Sequence, residues 1–281
     1  MNRTRTFALT ALAMLAFAGN SVLCRAALAR AGLDPASFTI VRFGSGAATM
    51  WAIAAALRRG RSIGGSWSGA LALLAYAPTF SYAYVSLPAG VGALLLFGAV
   101  QATMIFWGVA HGERPTPFQA AGLLLALGGL VALVAPGVTA PPLVGSALML
   151  TAGVAWGAYS ILGRKSADPL LTTEGNFLRF APMMLALVFP AASASAHPLA
   201  GLGYAVLSGA LASGVGYAIW YAALPSLSAA EGASVQLSVP VIAALAGTAF
   251  LSEPITLRLA LASVAVLGGI AIVILGKARR G

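Results

Sequence analysis

Few side chains in this chain could do chemistry, and those few favour binding over catalysis. Asn20, Gln101 and Gln236 are amides set inside long apolar runs, and Tyr82, Trp156, Tyr159 and Tyr217 are polar-edged rings in similar surroundings. An amide in hydrocarbon is costly unless it is hydrogen-bonded or wetted. The three amides are therefore expected to face a polar interior, either bridging helices or lining a cavity. Trp156 and Tyr159 are three residues apart and share one helix face. Together these seven residues form the expected substrate-binding set. The same runs hold Tyr76, Tyr84, Asn176 and Trp220. Tyr221 and Trp51, near the ends of runs, read as belt residues at a membrane surface, where Tyr and Trp concentrate.

Catalytic constellations are missing. His111 and His197 fall at opposite ends of apolar runs, so they cannot share a metal. The six acidic residues include no close pair suited to acid–base work. No glycine-rich loop precedes a Lys-Ser/Thr pair, so nucleotide-driven pumping is not expected. The expectation is a protein that is not an enzyme, with no catalytic residue, no cofactor and no metal ligand.

Charges inside apolar runs are functional candidates. Arg42 and Arg179 are of this kind, each followed by Phe. Each is also within about two turns of a run's end, where a long side chain can snorkel to the headgroups, so both readings stand for them. Glu113 and Glu253 close equivalent runs and are expected to order the turns that follow. No Asp or Glu sits near the centre of a run, which leaves proton coupling without a visible carrier.

The elements that must position these residues are transmembrane helices. The chain is 60% hydrophobic and 8% charged, against about a quarter charged in soluble domains. Ten apolar runs are expected as spans, near 6–28, 36–57, 67–86, 90–110, 117–135, 142–163, 173–192, 200–222, 229–250 and 257–276. Each is close to the ~20 residues that cross a hydrocarbon core. They leave no room for a sizeable soluble domain.

The net charge of +10 does not indicate nucleic acid, because the cations are scattered over short loops and termini. They follow the positive-inside bias instead. With a cytoplasmic N-terminus, that side collects Arg3, Arg5, Arg58, Arg59, Arg61, Arg114, Arg164, Lys165, Lys277, Arg279 and Arg280. The opposite side keeps Arg25, Arg30 and Arg258. Both termini are expected inside. The first run exceeds the ~7–15 residues of a signal-peptide core and has a counterpart in the sixth, so it is read as a retained helix. The single Cys24 rules out an internal disulfide.

The two halves of the chain repeat. At an offset of 140, Gly92-Ala93 falls on Gly232-Ala233, Glu113 on Glu253, Thr116 on Thr256, and Gly128-Gly129 on Gly268-Gly269. At 139, Phe17, Ser21 and Arg25 fall on Trp156, Ser160 and Arg164. The seam lies in Pro136 to Pro142, giving units 1–139 and 140–281. Five spans per unit force the second to enter from the opposite side. Inverted repeats of this kind build secondary transporters with a midplane site where the units meet. Pro78, Pro182 and Pro240 interrupt three of the runs and could serve as static kinks or as moving joints.

In this arrangement the chain resembles the drug/metabolite transporter superfamily, in its ten-helix EamA-type branch of amino-acid and metabolite exporters. The resemblance spans essentially the whole chain. It is carried by Ala18-Gly19-Asn20-Ser21, Arg42-Phe43, Pro88-Ala89-Gly90, Gly112-Glu113-Arg114-Pro115-Thr116 and Ser252-Glu253-Pro254-Ile255-Thr256. It implies a bacterial-type inner-membrane exporter with one cavity shared by the two repeats, similar to the aromatic amino acid exporters. A small-molecule substrate (an amino acid or related metabolite) and the lipid bilayer are the expected partners, with the oligomeric state open. A drug or other metabolite carrier of the same fold is the alternative within transport. A non-transporting scaffold or lipid-handling protein is the alternative outside it.

Overall fold

The structure is a computed structural model that describes residues 2–57, 64–164, 166–192, 198–227 and 229–278. Arg58, Arg59, Arg61, Lys165, His197, Arg279 and Arg280 lie outside the described residues. Among the described residues all regular structure is helical. Helix α1 is Arg3–Arg25 and runs on into a π-helical turn, Ala26–Arg30. There follow α2 Pro35–Ala56, α3 Trp67–Ala83, α4 Ala89–Ala110, α5 Pro117–Val134, α6 Leu143–Gly163, α7 Pro169–Met183 and α8 Leu185–Ala192. The remainder comprises α9 Leu199–Val206, a π-helical segment Leu207–Val215, α10 Gly216–Ala223, α11 Ala229–Gln236, α12 Ser238–Leu251 and α13 Leu257–Ala278.

Helix starts are written in local chemistry. Asp34 and Asp168 each precede a proline and accept from backbone N–H groups of the first turn, Ser37 at 2.8 Å and Leu170 at 3.1 Å. Thr116 and Gln119 close a reciprocal capping box at the head of α5. Proline acts unequally inside the helices. Helix α3 continues through Pro78, whereas α7 ends one residue after Pro182. The ninth apolar run breaks at Leu237, between α11 and α12, three residues before Pro240.

Seven continuous helical stretches among the described residues are long and apolar enough to cross a membrane. Helices α3 and α7 are shorter, at 17 and 15 residues, and α2 carries Arg42 among several hydroxyl side chains. The exterior carries large apolar side chains, including Phe7, Leu124, Val131, Leu261 and Val264. Such a surface belongs in lipid, where helices satisfy every backbone group internally. This is a helical membrane protein.

Helix α4 is buried continuously from Ala89 to Gln101 and forms the centre of the bundle. It packs on α6 and α12, α5 packs on α13, and α2 lies along the π-helical segment 207–215. Close approach depends on glycine: a Cβ on Gly122 of α5 would stand 2.7 Å from the Gly269 carbonyl of α13. In the two Gly-Gly pairs, Gly129 and Gly269 meet the partner helix, while Gly128 and Gly268 face open space.

One end of the bundle is tied by Glu253. Its Oε1 accepts from Arg25 Nε at 2.8 Å and its Oε2 from the Ala89 backbone N–H at 2.7 Å, at the head of α4. Arg25 also donates to the carbonyls of Tyr84 and Val85 at the end of α3. Glu253 thus joins the end of α12 to α1 and α4 and, through Arg25, to the end of α3; its side-chain bonds run to these helices and not into the turn that follows.

Candidate functional site

A cavity opens between helices drawn from both halves of the chain. Helix α1 contributes Phe17, Asn20 and Ser21, α3 contributes Tyr76, and α4 contributes Leu96 and Phe97. From the second half come Trp156 of α6, Ala212 and Ser213 of the π-helical segment, Tyr217 of α10 and Gln236 of α11. The space between these atoms, counted out through its mouth and so including open solvent, is about 460 Å³.

Its walls are aromatic. Trp156 stacks on Tyr217 at 5.7 Å between ring centroids and meets Tyr76 at 4.8 Å. Phe17 closes against Tyr217 at 5.7 Å. Such a surface takes a flat or aliphatic group, and a cation over a ring face is attracted to it.

Two amides supply the directional contacts. Asn20 Oδ1 accepts from Ser208 Oγ at 2.6 Å, a bond that does not use the NH₂ group of this cavity-lining amide. Gln236 Nε2 donates to the Gly232 carbonyl at 3.3 Å, which leaves its side-chain oxygen available. Pro240, four residues on, cannot donate to the Gln236 backbone carbonyl. A donor and an acceptor from opposite halves of the chain therefore face one apolar chamber, and π-helical segments of the kind that holds Ser208 are common at functional sites.

Of the seven residues expected from sequence, the cavity brings together Asn20, Trp156, Tyr217 and Gln236. Tyr159 stands behind Trp156, stacked at 5.1 Å and 7% exposed. Its hydroxyl donates to Thr173 Oγ1 at 3.3 Å and accepts from Asn176 Nδ2 at 3.2 Å. Asn176 Oδ1 in turn accepts from the Ser66 backbone N–H, and Thr173 pairs with the Tyr221 hydroxyl at 2.9 Å. Tyr221 is thus held in this interior network and is not a belt residue, unlike Trp51, which is 61% exposed. Gln101 is buried on α4 one turn beyond Phe97, outside the cavity lining, and Tyr82 is 40% exposed on the outer side of α3. Tyr76, Ser21, Ser213 and Phe97 line the cavity without having been singled out. Of these only Tyr76, a phenol inside an apolar run, carried a signal.

Arg42 does not snorkel. It is 2% exposed and lies among the rings of Phe80, Phe43 and Tyr76, at 4.7, 5.2 and 5.5 Å from their centroids. Its Nη2 donates to the Tyr76 hydroxyl at 3.0 Å. Arg179, on α7, is half-buried and donates to the backbone carbonyls of Gly64 and Gly175. Among the described residues no three His, Cys, Asp or Glu side chains gather as a metal site. The arrangement is suited to holding a small molecule.

A helical membrane bundle with an internal, aromatic-walled cavity is the architecture of a transporter, and the comparisons place it among known ones. The chain belongs to the EamA-like transporter family, part of the drug/metabolite transporter superfamily, whose family model matches residues 5–135 and again 143–275. It is 55% identical over 281 residues to an uncharacterized protein of Pseudomonas aeruginosa, covering 98% of each chain. It is 29% identical to an uncharacterized transporter of Archaeoglobus fulgidus over 68% of this chain and 69% of that one. It is 30% identical to a probable terminal-alkyne amino-acid exporter of Streptantibioticus cattleyicolor over 66% and 64% of the two chains. A crystal structure of a protein with 22% identity superposes over the full length of both chains with a TM-score of 0.68, a likeness of fold.

Proposed function

We propose that the protein exports amino acids with aromatic or apolar side chains, or closely related metabolites, across the bacterial inner membrane by alternating access. The observation that carries this reading is the cavity itself. Rings from α3, α6 and α10 offer a surface for an apolar side chain, while the Asn20 amide donates and the Gln236 carbonyl accepts beside it. A zwitterion needs both a donor for its carboxylate and an acceptor for its ammonium group. The Streptantibioticus relative, a probable terminal-alkyne amino-acid exporter, agrees with that chemistry. Units 1–139 and 140–281, five spans each and opposed in the membrane with both termini cytoplasmic, would rock about the site they share.

Uptake into liposomes by the purified protein, with a panel of labelled amino acids and with or without a pH gradient, tests the proposal. Saturable uptake of aromatic or aliphatic members is the expected outcome, and it should ignore the gradient because no carboxylate sits mid-span. Uptake confined to drugs or other metabolites would instead favour the alternative carrier. A scaffold is separated by cysteines at Asn20 and Gln236 in a protein lacking Cys24. Both should react with a water-soluble thiol reagent in a carrier, and neither in a scaffold.

A further inference from the structure

Arg42 stands out among the buried groups of this protein. A guanidinium has five N–H donors and no acceptor, and here it makes one hydrogen bond, to the Tyr76 hydroxyl. Its Nε and Nη1 are buried and without a hydrogen-bond partner. Among the described residues its only close charge compensation comes from ring faces, because the ion pair in the bundle is between Arg25 and Glu253. A buried cation with neither a counter-ion nor filled donors is expensive, and aromatic faces offset only part of that cost. Arg42 is held one hydrogen bond behind the cavity, since Tyr76 is both its partner and part of the cavity wall.

We propose that Arg42 is the counter-charge for the substrate's carboxylate, so that the protein selects solutes bearing a carboxylate and rejects the matching amides and amines. This rests on reading the cavity as the substrate site. Planar guanidinium and planar carboxylate match in a two-bond fork, and both edges that make such a fork, Nε with Nη2 and Nη1 with Nη2, share the nitrogen now bonded to the Tyr76 hydroxyl, while Nε and Nη1 wait beside it. Both of those donors lack partners. The Tyr76 ring must move aside for the two to meet. Pro78, two residues on, removes the backbone hydrogen bond to the Leu74 carbonyl and so loosens α3 at the level of that ring. The chamber's other polar groups are neutral, so a solute with an ammonium group but no carboxylate would enter beside an uncompensated positive charge.

The test uses sets of solutes with one side chain and three head groups: phenylalanine, phenylalaninamide and phenethylamine, with the leucine and tryptophan equivalents. Thermal stabilisation of the purified protein reads binding without requiring turnover. The wild type should be stabilised by the acids at concentrations at least tenfold below any effect of amides or amines. Arg42→Gln should abolish that preference, and Arg42→Lys should keep part of it, which guards against a variant that fails to fold. Equal stabilisation of the wild type by all three head groups, stabilisation by none of the acids, or a folded Arg42→Gln protein that still prefers acids would each overturn the proposal. Failure of the cavity reading has a separate signature, in which Trp156→Ala and Gln236→Ala leave stabilisation by every solute unchanged.

Discussion

Arg42 and Arg179 start from the same sequence context, a cation in an apolar helix followed by phenylalanine, and reach opposite solutions. Arg179 donates to main-chain carbonyls at the head of α3 and in its own helix. Arg42 has three rings, the hydroxyl of one of them, and two nitrogens without a hydrogen-bond partner. The polar groups around each repeat the contrast. On the Arg179 side, Asn176, Tyr159, Thr173 and Tyr221 form a continuous chain of hydrogen bonds ending on the Ser66 backbone. On the Arg42 side the chain stops at Tyr76. A satisfied network fixes one arrangement of helices, while an unsatisfied one retains bonding capacity for something that arrives later. The first is a structural device, and the second has the form of a binding device.

The sharpest way to break this comparison is to cut the satisfied network at its centre. Asn176→Leu removes the acceptor of the part-buried Ser66 N–H and one of the two partners of the buried Tyr159 hydroxyl, which keeps Thr173, and an unmet buried group costs about 1–3 kcal/mol. A loss of about 2–3 kcal/mol is expected, with a lower unfolding midpoint in detergent. Solute preference in the folded fraction should not change. If solute preference shifted while stability held, the network would belong to the binding site.

Arg42→Met should act with the opposite sign. Replacing a buried charge by an apolar side chain of similar length often stabilises a protein by about 1–4 kcal/mol. We expect a gain of about 2 kcal/mol in the empty protein together with loss of stabilisation by carboxylates. Thermal unfolding with and without solute reads both at once. Arg179→Met supplies the control: it removes a donor from the Gly64 carbonyl, while the Gly175 carbonyl keeps its helical bond, and should lose about 1 kcal/mol without altering which head group is preferred. A destabilised Arg42→Met protein would mean that the three rings and the phenol already compensate the charge.

The contrast between the two arginines was only half legible in the sequence. Apolar runs, caps such as Asp34-Pro35 and Asp168-Pro169, and the amides inside runs are local signals, and the helices begin where those signals stand. Helix rotation is not a local signal. A soluble helix shows which face is inward by its apolar stripe, but lipid is as apolar as a protein core, and α3 is apolar on nearly every side. Tyr76 and Tyr82 are six residues apart on that helix, so they point in well-separated directions. The first lines the cavity and the second faces outward. The same ambiguity put Gln101 beyond the cavity although α4 carries Phe97 into it. Arg42 was visible as a charge within a run, but whether it reached the headgroups or stayed among rings depended on the neighbours of α2. The π-helical segment 207–215, which brings Ser208 to Asn20 and Ser213 to the cavity, is read in sequence only as a small-residue run.

The smallest expected effect tests the boundary between the two regions. Tyr76→Phe keeps the ring that packs on Trp156 and Phe80 and removes only the hydroxyl that accepts from Arg42. Interhelical hydrogen bonds in membrane proteins average about 0.6 kcal/mol, so stability should fall by no more than about 1 kcal/mol. With its last hydrogen bond gone, the guanidinium has one further donor to offer a carboxylate and no tether to break first. Acids should therefore bind as tightly as in the wild type or a few-fold more tightly, with amides unaffected, measured by the same thermal shifts. Weaker binding of acids would instead make the Tyr76 hydroxyl itself a ligand to the substrate. The boundary of the binding region would then lie at the cavity wall, and Arg42 would serve to orient that phenol.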